Sequence, residues 1–585
     1  MSSTYMLKNP ELVHILKQML AAMEVKDYNK FRIRAYQNAI ASIESLSTSV
    51  YTLWQQGRLS EIPGVGGGLT QVFKELFTTG EVLEFNRLKA DLPAGMFALI
   101  GIRGIGSKKA FKLASAFALD DESTAVEEIK KIAEAGKIRD LPGFGERSEA
   151  ELLAVITEMK LHKKEKERSL FVVAEQVAKR LEYYLRLCPE VSALEFLGSY
   201  RRREATVGDL DIAIVTAKPD EVFDHFEKYE EIEDVLVKGE KKMSVNLTNN
   251  MQIDIRTVSH EELGSMMQYF TGSKAHNIVL RTHALEQDKS LSEYGIKHGK
   301  SLKTFSREED LYSYLGLSYI EPELRQGKDE VVLAQKKALP ELVNLEDIKG
   351  ELHVHTNFSD GANTLEEMVH AADALGYEYF GVADHAPSVS NRGLKEVMNI
   401  TNTHIKSVEH INSSTNLKVL LGYEVNILAN GSISLPDESL SKLNFAIGSI
   451  HTAFDQDRDT ITQRLINAIE HPLINIIGHP SGRLLNERPA CDVNWTAVFK
   501  SAIEHDKVIE INAQPNRLDL ADDLVREACA MGVKIMINTD AHSTAGLNFM
   551  RYGVYVARRG WCSKEKILNT LPLKEFLREL NIRNI

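Results

Sequence analysis

Cysteine is scarce: four residues in 585, Cys188, Cys491, Cys529 and Cys562, with no spacing that could hold a metal. This excludes a zinc finger or a disulfide scaffold and fits a reducing cytoplasm. No run of about 18 apolar residues occurs, so no helix is expected to cross a membrane. Lys8, Glu11 and Lys17 break the first apolar stretch, which argues against a secretory leader there. An excess of positive charge is also missing. Lysine and arginine number 70 against 83 acids, for a net charge of −13, and from Glu346 onward the balance is 23 against 31. Neither half is basic, which argues against a broad cationic DNA-binding face. Contact with phosphates would have to use local patches, backbone amides or bound cations.

The length implies three to five domains, at about 100–200 residues each. Residues 1–85 read as helical, with apolar residues at three- and four-residue spacing. Residues 86–160 are again helical, broken by glycine turns, and Lys160–Arg168 is a charge run. Short strand-like runs, ALEFLGS, LDIAIVT and MQIDIRTV, mark 161–262. Residues 263–320 mix helix and turn. Residues 321–347, with Pro322 and Pro340, show no period and read as a linker. From 348 to 585, seven short apolar runs alternate with helical stretches, the pattern of a barrel or layered sheet. Of 18 histidines, 11 lie in this last region.

The helical half contains three copies of one turn. Gly64-Val65-Gly66, Gly104-Ile105-Gly106 and Gly143-Phe144-Gly145 each follow an apolar residue and precede an amphipathic helix. Glycine permits a tight turn, and the helix N-terminus behind it offers N–H groups to a phosphate. Lys108 adds local charge after the second. The turns resemble helix-hairpin-helix motifs, which hold a DNA backbone without reading sequence.

In the middle region Asp209 and Asp211 share one face of a predicted strand, and Asp254 lies in another. Clustered carboxylates repel unless cations bridge them, so the three are a candidate two-Mg²⁺ site suited to in-line phosphoryl transfer. Gly198-Ser199 before them would let a triphosphate approach backbone amides, and Arg201, Arg202 and Arg203 add charge.

The last region places ligand-type residues at the ends of apolar runs: His353 and His355, Asp360, His385, Glu424, His451, His479, Asp540 and His542. In a barrel of parallel strands such ends converge on one rim. Mixed imidazole and carboxylate donors suit Zn²⁺ or Mn²⁺ and phosphoester hydrolysis.

Gly198-Ser199-Tyr200-Arg201-Arg202, the three aspartates and Tyr269-Phe270-Thr271-Gly272-Ser273 resemble motifs of DNA polymerase family X, the polymerase β group. The likeness covers roughly residues 1–320. It implies catalytic roles for Asp209, Asp211 and Asp254 with Mg²⁺ or Mn²⁺, a triphosphate site at Gly198, Ser199 and Arg202, and a sugar contact at Tyr269, Phe270 and Gly272. It places Asn277 at the nucleotide's minor groove and Arg281 at the template. Gly64, Gly66, Gly104, Gly106, Lys108, Gly143 and Gly145 would contact DNA. Two positions depart from the family: Val72 stands where lyase-active members carry a Schiff-base lysine, with Lys74 on another side of the helix, and Gln252 replaces an arginine. Residues 348–585 resemble the polymerase-and-histidinol-phosphatase (PHP) domain. By that likeness His353, His355, Glu424 and Asp540 hold one metal. Glu424 bridges to a second with His451 and His479. Asp360, His385 and His542 hold a third.

The expected fold is multidomain, α+β and α/β. A lyase-like helical domain (1–85) and a fingers-like domain (86–160) carry the hairpins. A nucleotidyltransferase-type palm (161–262), a thumb-like subdomain (263–320) and the linker lead to a distorted βα barrel (348–585). The expected function is gap-filling DNA polymerisation in repair by a cytoplasmic monomer, with gapped or primed DNA and deoxynucleoside triphosphates as substrates. The barrel would act as a 3′–5′ exonuclease or abasic-site endonuclease. Alternatives are a phosphatase of small esters with a DNA-binding polymerase half, and a non-catalytic repair scaffold.

Overall fold

The computed structural model describes residues 7, 9–44, 50–55, 57–62, 64–102, 105–146, 148–150, 152–153, 155–156 and 168–583. The charge run up to Glu167 lies outside them, as do Arg103 and Gly104 of the second glycine turn. The chain divides into two compact units, residues 1–188 with 220–254, and residues 189–219 with 255–585. Among the described residues no helix is long and apolar enough to cross a membrane.

The first unit begins with short helices, Asn9–Val25, Lys30–Glu44, Gly67–Thr79, Ser107–Ala116 and Ala125–Glu134 among them. Their apolar stripes meet in one core that includes Leu12, Leu16, Ile40, Phe73, Phe97 and Leu113. The glycine turns are built alike. In each, the residue between the glycines donates its N–H three residues back: Val65 to Ile62 at 3.0 Å, Ile105 to Ile102 at 3.0 Å and Phe144 to Leu141 at 2.9 Å. The next helix opens on the carbonyl of the second glycine, through Thr70 to Gly66, Ala110 to Gly106 and Glu149 to Gly145. Gly64 needs its missing side chain: φ is 80° and a Cβ would meet the backbone of Ala39 at 3.0 Å. The same unit holds the helix Phe171–Leu185 and the antiparallel strands Ile232–Lys238 and Lys242–Leu247.

In the second unit the strand Ala193–Phe196 pairs antiparallel with Asp209–Val215. Behind them Leu197, Ala213, Val215, Val258 and Met266 form a small core. The strand Gln252–Val258 starts in the first unit and ends in the second. Two helices, Leu263–Thr271 and Lys274–Leu285, lead into a three-stranded meander over 289–303 and a helix Glu308–Tyr314.

The stretch 321–347, expected to link domains, is itself folded. It carries the helix Glu330–Gln335, and Leu324, Val331, Ala334 and Leu342 join the core formed by Leu280, Leu311 and Ile320. Its polar residues bury singly through ion pairs: Arg325 on Glu308 at 2.7 Å, and Glu330 on His276 at 2.8 Å. Burial of that kind leaves no hydrophobic period to read.

Seven parallel strands follow in sequential order: Gly350–Glu351, Tyr379–Val382, Lys418–Asn426, Phe445–Ser449, Ile476–Gly478, Val508–Asn512 and Lys534–Asn538. All seven expected strands are present. They are apolar on both faces because helices cover the outside. A parallel bridge between Val354 and Ala541 brings the first and last together, and His355 N–H donates to the Ala541 carbonyl at 2.8 Å. The result is a nearly closed barrel whose strand ends all reach one rim.

Candidate active sites

In the palm, Asp209 and Asp211 sit two apart on Asp209–Val215, half-buried on one face, while the alternate residues are buried. Leu197 N–H donates to the Asp211 carbonyl at 2.8 Å, which fixes the turn after it against this strand. Gly198 lies at φ 60°, and a Cβ there would stand 2.5 Å from Asp211 Oδ2. Only glycine lets the Gly198–Arg201 turn close over that carboxylate. Ser199 is buried in the turn. Asp254 belongs to the first unit and is 8% exposed. There Gln252 Nε2 donates to its Oδ1 at 3.0 Å and Lys242 Nζ lies 3.6 Å away, so the residue that departs from the family is a hydrogen-bond partner of the acid.

The neighbouring arginines differ in environment. Arg201 is bound to buried Glu308 at 2.6 Å and to Thr271 Oγ1 at 2.7 Å, an anchoring role that the sequence did not reveal. Burial acts against the Glu308 charge, yet the guanidiniums of Arg325 and Arg201 hold its carboxyl down at about 2. Arg202 donates to the Thr271 carbonyl and to Glu204. Tyr269 and Phe270 meet edge to face at 5.0 Å. Asn277 donates to the Tyr269 carbonyl at 2.8 Å, and the Arg281 guanidinium lies 5.0 Å from the Tyr269 ring centre. Tyr269 and Arg281 also line a cavity of about 280 Å³ with Ser290 and Ser292.

In the helical region the described glycines of all three turns are exposed, and the apolar residue between each pair is tucked inward. Lys108 is exposed and pairs with Asp27 at 3.3 Å. Such a surface pair contributes little. Val72 is 6% exposed in the helical core, whereas Lys74 faces solvent.

The barrel brings all nine expected residues into one cluster. Four overlapping groups have donor atoms within 4.8 Å of one another: His355, Asp360, His385 and His542; His353, His355 and Asp540; His353, Glu424 and His479; His385, Glu424 and His451. His353 and His355 lie just beyond the first strand, which ends at Glu351, and flank the bridge residue Val354, so they still point the same way. Glu424 is central. Its oxygens lie 2.8 Å from His479, 2.9 Å from His385, 3.2 Å from His451, 3.5 Å from His353 and 3.7 Å from His355.

The donor set fits divalent cations. His353 Nδ1 faces Glu510 at 2.7 Å, His451 Nδ1 faces the Asn426 side-chain oxygen at 2.6 Å, and His542 Nδ1 faces the Asp540 carbonyl at 2.8 Å. Each of those oxygens accepts, so each Nδ1 carries the proton. The lone pair of each Nε2 then points at a carboxylate: Glu424 for His353 and His451, Asp360 for His542. A cation between them removes that repulsion. His355 is fully buried, both its ring nitrogens lack hydrogen-bond partners, and burial lowers its pKa to about 4, the neutral form a metal requires.

Sequence reasoning missed the residues behind the ligands. Glu510 is wholly buried and accepts from His353, from the His479 N–H at 2.7 Å and from Asn538 at 2.9 Å. Asp384 accepts from Thr356 N–H at 2.8 Å and Ser359 Oγ at 2.6 Å, which shapes the loop carrying Asp360. The available signal was a charged residue inside an otherwise apolar strand, as in Val508-Ile509-Glu510-Ile511.

Residues 7–82 match the helix-hairpin-helix domain family, 266–326 the DNA polymerase beta thumb and 351–514 the PHP domain. A DNA polymerase/3′-5′ exonuclease PolX of Bacillus subtilis (strain 168) is 32% identical over 574 residues, 97% of this chain and 98% of that protein. A probable phosphatase of Thermoanaerobacter sp. (strain X514) is 29% identical over 244 residues, 39% of this chain and 94% of the phosphatase. Another from Caldicellulosiruptor saccharolyticus is 34% identical over 206 residues, 33% of this chain and 79% of its own length. With a polymerase β-type thumb, a helix-hairpin-helix region, a PHP barrel and a full-length match to a protein of that architecture, the chain belongs to the bacterial family X DNA polymerases that carry a C-terminal PHP domain.

Proposed function

We propose that the chain adds deoxynucleotides to the primer 3′ end at short gaps in DNA, and that its barrel removes 3′-terminal nucleotides and cuts at abasic sites. One observation carries this reading: the chain holds two separate carboxylate-based centres, the Asp211 carboxylate under the Gly198 turn and the nine-residue barrel cluster, in a sequence related along 97% of its length to a polymerase/exonuclease.

In the palm, Asp209, Asp211 and Asp254 would hold Mg²⁺ or Mn²⁺. In the barrel, the nine ligands would hold Mn²⁺ or Zn²⁺, three ions in all. When bound, the ions supply Lewis acidity to phosphoryl transfer. The protein's own groups do the rest. The Gly198-Ser199 turn offers amides to a triphosphate, and Arg202, whose Nε donates to Glu204 at 3.1 Å in the free protein, turns its charge to the triphosphate when it binds. Tyr269, Phe270 and Gly272 lie against the sugar. Asn277 contacts the minor-groove edge of the nucleotide, and Arg281 the template. The exposed glycine turns bind the DNA backbone through amides, with Lys108 beside the second. A monomer suffices for all of this.

The test is primer extension on gapped DNA and 3′-end digestion of a labelled oligonucleotide, on one preparation, with Mg²⁺, Mn²⁺ and chelator. Both activities should appear with metal and vanish with chelator. A preparation that hydrolyses only small phosphate esters would favour a phosphatase, and one inert in every assay a scaffold.

A further inference from the structure

The helix Met550–Arg559 follows the last barrel strand, yet its outer residues reach the palm turn that ends in Arg203; both belong to the second unit. Arg559 Nη1 donates to the Arg202 carbonyl at 3.0 Å. Its Nη2 pairs with Asp522 at 2.7 Å, and Gln326 Nε2 donates to the Arg559 carbonyl at 2.7 Å. The guanidinium is thus fixed from both sides, with its side chain only 14% exposed. One helical turn earlier, the Tyr555 ring centre lies 4.7 Å from the Arg203 guanidinium, and the Tyr200 ring centre lies 5.6 Å from it. Arg203 sits at φ 55°, a conformation that side-chain-bearing residues rarely adopt. That left-handed residue turns the chain directly after Arg202, so whatever holds Arg203 also sets the direction in which Arg202 points.

We propose that Arg559 and Tyr555 are positioning residues for nucleotide addition. They clamp the Arg202–Arg203 backbone so that the Arg202 guanidinium is presented to the triphosphate, and a helix of the barrel region thereby serves the polymerase independently of the barrel's metals. This rests on the reading above in which Arg202 binds the triphosphate. Both act through the Arg202–Arg203 turn. Their effect should fall on nucleotide affinity and leave the chemical step alone.

The experiment uses the full chain and three variants, Arg559→Ala, Arg559→Lys and Tyr555→Leu. Two activities are read: dNTP-dependent extension on gapped DNA, and Mn²⁺-dependent hydrolysis of bis(p-nitrophenyl) phosphate by the barrel. Arg559→Ala should raise KM for dNTP about tenfold, as for loss of a charge-assisted hydrogen bond, with kcat within about twofold of wild type. Tyr555→Leu should raise KM about threefold, and Arg559→Lys should recover part of the loss. Diester hydrolysis should be unchanged in all three. An unaltered KM in Arg559→Ala, or a fall in kcat that parallels a fall in diester hydrolysis, overturns the clamp. If Arg559→Ala does not fold, the same criteria apply to the other two. A wild type that extends nothing sinks the polymerase reading instead, and calorimetric titration of the same proteins with Mg²⁺·dATP then decides the clamp by itself.

Discussion

The palm and the barrel solve one problem, the gathering of negative charge, in opposite ways. In the reading proposed above, the palm uses three carboxylates and no histidine, and two of them share one strand. The barrel draws its ligands from the ends of six strands and buries most of them: His353 and His355 are fully buried, and Glu424 is 2% exposed. Behind the barrel ligands stands a second layer, Glu510, Asn426 and Asp384, that fixes tautomers and loops. In the palm it is backbone that closes in: the Gly198 turn lies against the Asp211 carboxylate, where a Cβ would stand 2.5 Å from Oδ2. A centre preassembled by its own fold can hold ions without substrate. The barrel should therefore retain metal through purification.

The strongest test of this contrast is a pair of reciprocal lesions. Glu424→Ala should lower 3′-end digestion by at least about 10³-fold and strip bound metal, while extension persists. Asp211→Ala should lower extension by a similar factor and leave metal content and digestion intact. Elemental analysis beside the two assays checks both, and loss of both activities in either variant would refute separate centres. A lesion in the layer behind the ligands should have an intermediate effect. Glu510→Gln should weaken barrel metal affinity about 10–100-fold, measured by competition with a chelating dye, and leave the palm unaffected.

Next comes the buried acid that anchors the palm turn. Folding lowers the Glu308 pKa from an ordinary 4.5 to about 2, because Arg325 and Arg201 outweigh the effect of burial. A depressed carboxyl contributes stability that is present above about pH 4.5 and is lost as pH falls toward 2. Glu308→Gln leaves Arg201 and Arg325 without their counter-ion and should cost about 3 kcal/mol at pH 7. The Tm difference between variant and wild type should shrink by pH 3, and a difference that stays constant with pH would show that Glu308 acts by packing. The smallest effect expected is none at all. Borohydride trapping of a 5′-deoxyribose-phosphate substrate should stay at background, because Val72 is an aliphatic core residue. Strong trapping, mapped by peptide, would identify a lysine that acts in its place.

Much of this was legible because strands and ligands obey simple rules. Seven short apolar runs alternating with helical stretches, six of them ending at or near a histidine or acid, read as strands of a barrel or layered sheet with their chemistry at one end. Asp209 and Asp211 share a face because side chains alternate along a strand. What stayed hidden depends on contacts distant in sequence. Three consecutive arginines look equivalent until Glu308 claims Arg201, Glu204 holds Arg202 and Tyr555 faces Arg203. The stretch 321–347 looked like a linker because its buried polar residues, Arg325 and Glu330, are paired with partners elsewhere in the chain.

The three matching turns have a consequence for movement. Each presents a few amides, and each grip alone is weak. If they hold DNA as proposed, joining them in one unit would make them linked hands: when one lets go, the others keep it at high local concentration beside the next phosphate, and it closes again quickly. Such a hold is firm on average and loose at every instant. It would let the protein move along DNA, because no single contact has to be broken at full cost for the protein to advance.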